Sequence, residues 1–176
     1  MRRHARGISE TVAIALLIVV AIALAVAIYF ATQRFMTTSD FVQVQAFKVQ
    51  NKYTTTSSGT SQIAIVGLRL IPKTDKYLTI VSVKAFLTLA NGQTATVTFS
   101  PPASGSTTWS GSGATGVTAS GEGPATINPG STIELTFTFS KSITQNDHIL
   151  SVSFQVTVQD PSGAQYTFTS NEVMLT

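Results

Sequence analysis

The chain contains no cysteine, which excludes disulfides and thiolate metal sites and leaves the redox compartment unmarked. Charge is scarce as well: Asp, Glu, Lys and Arg make up 11% of the residues, against roughly 25% in an ordinary soluble domain. There are two histidines, His4 and His148, and a single tryptophan, Trp109. No Asn-x-Ser/Thr sequence occurs, so N-glycosylation is not indicated.

These shortages weigh against catalysis. Asp147 and His148 could be drawn with one of the many serines as a hydrolase triad, but such a combination arises by chance in a serine-rich chain. No spacing resembles a metal-ligand set, and there is no phosphate loop or nucleotide fingerprint. The chain is not expected to be an enzyme. No catalytic residue, metal ligand or cofactor is assigned.

The net charge of +3 is not spread along the chain. Arg2, Arg3 and Arg6 lie at the extreme N-terminus, and beyond Gly7 eight basic residues face eight acidic ones. No basic face is therefore left for nucleic acid.

Past the arginines the chain becomes apolar without interruption. Residues 12–31 contain no charge, glycine or proline, and as a helix they would make a rod of about 30 Å, the thickness of a bilayer hydrocarbon core. The cluster of arginines predicts that this end stays cytoplasmic while the C-terminal body is exported. A secretory signal has a shorter apolar region with a small-residue cleavage site after it, and Tyr29-Phe30-Ala31-Thr32-Gln33-Arg34 matches such a site poorly. The sharp junction is Gly7, before the run. Ala23, Ala27 and Ala31 recur at four-residue spacing, the pattern that lets helix backbones approach closely in lipid; alanine is also simply a good helix former.

A short hydrophilic leader ending Arg6-Gly7, then Ile8-Ser9-Glu10 and an uninterrupted apolar helix, resembles the class III signal of archaeal type IV pilins and archaellins. The resemblance covers about the first 35 residues closely and implies cleavage between Gly7 and Ile8 by a prepilin peptidase, with Arg6 part of the recognised junction. It further implies that residues 8–39 first anchor the subunit in the cytoplasmic membrane, N-terminus inside. An assembly ATPase and a membrane platform protein then move that helix into the core of a helical homopolymer. Glu10 departs from the bacterial pattern, which places its glutamate at the fifth mature position. At the start of a helix it lies near the positive end of the macrodipole, as an interfacial residue or as a partner for the new amino terminus of Ile8.

Beyond residue 40 the period changes to two. Val42, Val44 and Ala46 alternate with Gln43, Gln45 and Phe47, and similar runs recur at 63–70, 77–89, 94–100, 131–139, 150–158, 165–169 and 172–175. Asn91-Gly92, Asn128-Pro129-Gly130 and Asp160-Pro161-Ser162-Gly163 supply turn chemistry between them. Seven or eight strands with no intervening helix predict an antiparallel, Ig-like β-sandwich over residues 40–176. Residues 101–126 are rich in Gly, Ser, Thr and Pro and read as a long surface excursion. Trp109, in their middle, is either an exposed contact aromatic or a residue folded back to plug the sandwich edge. Dense Ser/Thr clusters at 54–61 and 104–120 leave O-glycosylation open.

The expected architecture is thus α+β, with a leader at 1–7, a long hydrophobic helix at 8–39 and an exported β-domain. The expected function is that of a pilin in an extracellular archaeal type IV pilus, for surface adhesion. An archaellin of a motility filament, or a signal-anchored cell-surface binding protein, is the alternative. If Glu10 pairs with the amino terminus of Ile8 in a neighbouring subunit, Glu10→Gln will leave leader removal intact and lower filament yield, measured as protein recovered by shearing. Unchanged yield would remove that pairing.

Overall fold

The structure is a computed structural model that describes residues 12–26, 28, 41–57, 59–113, 116–144 and 146–176. The chain divides into two compact units, Met1–Asp40 and Phe41–Thr176.

In the first unit, residues 12–26 and 28 are helical. The helix, α1, is apolar on all sides. Its large side chains are uncovered, from 48% exposure at Val26 to 70% at Leu17. Among the described residues the helix is short rather than long: residues 12–26 make a rod of roughly 22 Å. Among the described residues no helix is long and apolar enough to cross a membrane. The expected helical residues 8–11 and 29–39 lie outside the described residues.

Among its described residues the second unit contains eleven strands: β1 (Val42–Thr56), β2 (Gly59–Pro72), β3 (Leu78–Leu89), β4 (Thr94–Ser100), β5 (Thr108–Ser112), β6 (Val117–Glu122), β7 (Thr126–Ile127), β8 (Ile133–Ile143), β9 (Ile149–Gln159), β10 (Gln165–Thr169) and β11 (Val173–Met174). The three expected turns form where their residues demand them. Gly92, Gly130 and Gly163 take positive φ of 80°, 67° and 89°, a conformation that other residues adopt only with strain.

The strands form one antiparallel sheet in the order β1-β2-β8-β6-β5-β4-β3-β9-β10, with β7 added beside β3 and β11 beside β9. The expected two-sheet, Ig-like sandwich is therefore corrected to a continuous sheet that wraps round its own core. The reason lies in residues 101–126, which are not simply a surface excursion. Within them β5 and β6 pair with each other and bridge β4 to β8, so the two halves join.

Glycine in that segment serves close approach rather than looseness. A Cβ at Gly121 would sit 2.5 Å from Cδ1 of Phe137, and one at Gly111 would sit 2.9 Å from Cε1 of Phe99. The rings of Phe99 and Phe137 press against these positions, with centroids 4.4 Å apart, and Phe154 lies 5.2 Å from Phe137. Trp109 is fully buried 6.4 Å from Phe137, and its indole N–H donates to the Gly123 carbonyl at 3.0 Å. Of the two readings of Trp109, the structure gives the inward one.

The wrap is nearly closed, and two side-chain amides tie it. Asn171 accepts from the Ala46 N–H at 2.8 Å and donates to its carbonyl at 2.9 Å, which joins β1 to the chain just after β10. Fully buried Gln62 of β2 accepts from the Ile149 N–H at 2.6 Å and donates to its carbonyl at 2.9 Å. Each amide replaces a missing ladder partner, satisfying backbone groups that would otherwise be orphaned. Gln62→Met keeps the volume and leaves both Ile149 groups unpaired, at about 1–3 kcal/mol for each buried group. The expected loss is about 2–6 kcal/mol in urea unfolding of the whole chain, with no change in far-ultraviolet circular dichroism before the transition.

Candidate functional site

Most of the residues that the sequence singles out lie outside the described residues. Arg6, Gly7, Ile8, Glu10, Ala27 and Ala31 lie outside the described residues, and Ala23 lies in α1. Asp147 and His148 do not form a catalytic pair. The Asp147 carboxylate accepts from the Thr144 N–H at 2.7 Å and from the Lys141 ammonium at 2.8 Å, whereas the His148 ring packs edge-on against Tyr53, centroids 6.2 Å apart. Among the described residues no group of three His, Asp or Glu could hold a metal ion.

The structure does gather a polar layer at one end of the core. The register pairs Tyr53 with Gln62 and Gln62 with Lys141, which puts these side chains side by side across β1, β2 and β8. The Gln62 amide N–H groups also reach the Asn51 side-chain oxygen Oδ1 at 3.0 Å and the Tyr53 hydroxyl at 3.4 Å, and the Asn51 side-chain amide donates to the Leu175 backbone carbonyl. Lys141 is buried, with 6% side-chain exposure, and Asp147 neutralises it from the β8–β9 turn. This layer was partly legible: Gln62 stands two residues before Ala64 in an inward-facing alternation, which points it at the core.

Two carboxylates are tuned by their surroundings. The hydrogen bond from Lys141 holds Asp147 below the ordinary carboxylate range, helped by the Thr144 N–H and opposed by burial. Asp160 is likewise lowered, first by the Ser162 hydroxyl and then by the N–H groups of Ala164 and Ser162, with Lys76 3.8 Å away. Asp160 thus closes the turn before β10. Each carboxylate also meets a hydroxyl of its own turn, Asp160 that of Ser162 and Asp147 that of Thr144 at 3.4 Å, so both carboxylates hold turns together.

On the outer face of β1, β2 and β8 the side chains engage one another. The Phe47 ring covers Gly67, where a Cβ would lie 2.3 Å from Cζ. The Arg69 guanidinium sits 5.6 Å from the ring centroid and donates to Glu134 at 2.6 Å. Sequence reasoning did not find this cluster; its one signal was a glycine inside a strand opposite an aromatic.

The comparisons with known proteins are sparse. No family model matches the chain, and no curated protein matches it. Among solved structures, a structural-genomics target is 14% identical over 74% of this chain and 82% of its own, with a TM-score of 0.47. The archaeal flagellum of Methanospirillum hungatei strain JF1 is 17% identical over 92% of this chain and 89% of its own, with a TM-score of 0.30. The archaellum periplasmic stator protein FlaG from Sulfolobus acidocaldarius is 19% identical over 72% and 98%, with a TM-score of 0.26. Likenesses this slight do not carry a function.

The two tuned carboxylates give the domain a pH dependence with a definite sign. A carboxylate whose folded pKa is depressed stabilises the fold fully above its unfolded pKa, and the contribution is lost as pH falls through the folded value. Stability measured by urea unfolding will therefore fall as the pH drops from neutral to about 3. Asp147→Asn will flatten this acid limb and lower stability at neutral pH by about 1.5–3 kcal/mol, because the Lys141 ammonium loses its charged partner.

Proposed function

We propose that this chain is the structural subunit of an archaeal surface filament of the type IV kind, an adhesion pilus or, as the alternative, an archaellum. The observation that carries the reading is α1: a helix apolar all round, its side chains uncovered, preceded in sequence by the Arg6-Gly7 junction. Such a helix must be covered by lipid or by other protein. In this reading it has both in turn. Leader removal after Gly7 frees Ile8, the membrane holds the subunit through residues 12–31, and assembly moves the helix into a bundle of identical helices. Apolar side chains then leave lipid for an equally apolar interior, a near exchange, so directionality comes from the assembly ATPase and from contacts between copies.

The β-unit fits a coat rather than a catalyst. It is a nearly closed, disulfide-free sheet whose buried ionisable groups are spent on internal ties. Its scarcity of charge suits an extracellular surface that packs beside copies of itself. In the filament reading residues 41–176 lie outside the cell, and nucleic acid has no role.

The test is the N-terminal residue of protein recovered from sheared cell-surface material. The expected residue is Ile8. A start at Met1, or one near Thr32, overturns the filament reading, the first in favour of a signal-anchored monomer and the second in favour of ordinary secretion. Within the filament reading, swimming of a strain lacking the gene separates pilus from archaellum.

A further inference from the structure

The sheet has a second outer face, formed by β4, β3 and β9, and its chemistry differs from that of the Phe47 face. The register lays out a small grid of outward positions. Thr96, Phe86 and Ser153 stand in one row across the three strands, and Thr98, Lys84 and Gln155 stand in the next. Rows and strands are spaced about 7 Å and about 4.8 Å apart, so the grid is roughly 10 Å wide.

Three properties set this grid apart. First, Phe86 is 40% exposed and is the one large exposed apolar side chain of β3, β4, β9 and β10. Second, those four strands contain no acidic residue, and Lys84 is their single charged one. Third, none of the six side chains makes a hydrogen bond, ion pair or ring contact with another described residue. The Phe47–Arg69–Glu134 cluster on the other face is committed to itself. Here hydroxyl, amide and ammonium groups, together with an aromatic face, are uncommitted.

The ligand class follows from what such a face can and cannot recognise. One cation is too few for a nucleic acid, whose affinity grows with the number of phosphates neutralised. One phenyl ring among threonines is too little apolar area for the core of a protein interface or for a lipid surface. An extended chain of hydroxyl groups fits better. Its C–H faces stack on an exposed aromatic, and its hydroxyls both donate and accept, as Thr, Ser and Gln do. The lack of carboxylates and the presence of Lys84 favour a neutral or acidic chain. We infer that the β4–β3–β9 face binds an extended polysaccharide, with Phe86 as the stacking platform, Gln155, Thr96, Thr98 and Ser153 as hydrogen-bonding flanks, and Lys84 selecting for sugar carboxylates. The inference holds whether the chain is a filament subunit or an anchored monomer.

The experiment uses the full-length protein, as recovered from cells, in sedimentation assays with insoluble cellulose, chitin and mannan and in affinity electrophoresis with pectate. At least one polysaccharide will retain the protein, and Phe86→Ala will weaken that retention about tenfold or more. Phe86→Trp will preserve it. Lys84→Ala will weaken binding to pectate while leaving binding to neutral chains within about twofold. Phe86 lies on the surface, so an unchanged thermal transition will show that Phe86→Ala still folds; Ser153→Asp, which places a carboxylate beside the platform, must reproduce the loss. Retention by none of the four polysaccharides overturns the inference, as does retention that Phe86→Ala leaves intact. A Phe86→Ala variant whose self-association changes in the absence of polysaccharide also overturns it, because the face then belongs to a second copy of the chain.

Discussion

The β-unit depends on the contact between the Phe137 ring and Gly121. Phe137 projects inward from β8 and meets Phe99, Phe154 and Trp109. It reaches this central position only because β6 passes over it without a side chain; any Cβ at residue 121 would fall inside the ring's contact distance. The aromatic cluster therefore requires a glycine strand above it, and that strand requires partners for its backbone groups. β5 and β8 provide them. Continuity of the sheet thus follows from ring packing: a loop at 117–122 would leave both the Phe137 face and the edge of β8 bare.

This explains what was legible in the sequence and what was not. Strands with alternating apolar residues were visible from period alone, as were the turns at Asn91-Gly92, Asn128-Pro129-Gly130 and Asp160-Pro161-Ser162-Gly163. β5 and β6 were hidden, because TWSGS and VTASGE carry the composition of a loop. Composition reports side-chain preference, whereas here the backbone is held by neighbours and the glycines are selected by the rings beneath them. One misjudged segment then changed the architecture from two sheets to one. The polar tie of Gln62 was half visible in its inward register, but its partner Ile149 lies 87 residues away, and only the fold brings them together. For the helix, the apolar run agrees with the structure at residues 12–26 and 28, but an unbroken run fixes no end point, since neither a cap nor a breaker occurs within it.

Closure also governs the use of charge. An open antiparallel sheet exposes edge backbone that invites pairing with other chains, a hazard for any protein held at high local concentration. Here Asn171 and Gln62 supply amide groups where ladder partners run out, and Lys141 and Asp147 neutralise each other at the end of the core. Neutral amides suit the task because they mimic the peptide group in both donor and acceptor and carry no ionic desolvation penalty. With the edges managed by amides, the unit needs few surface charges to discourage aggregation. The 11% charged composition is then compatible with a β-unit whose outer faces meet water.

The two outer faces divide the surface between them. The face of β1, β2 and β8 has committed its aromatic, its cation and its anion to one another, so a partner approaching it must first break a cation–π contact and an ion pair. The face of β4, β3 and β9 has committed none of the six grid groups, and a partner there meets donors and acceptors whose only competitor is water. Exchange of water for a sugar hydroxyl is close to neutral in energy for each group, so net binding on such a face depends on the apolar contact at Phe86 and on repetition along a chain. A filament would present the same shallow face many times over. Weak single contacts of that kind add through multivalency, so a face with one aromatic platform would hold a chain more tightly on a polymer of subunits than on a monomer.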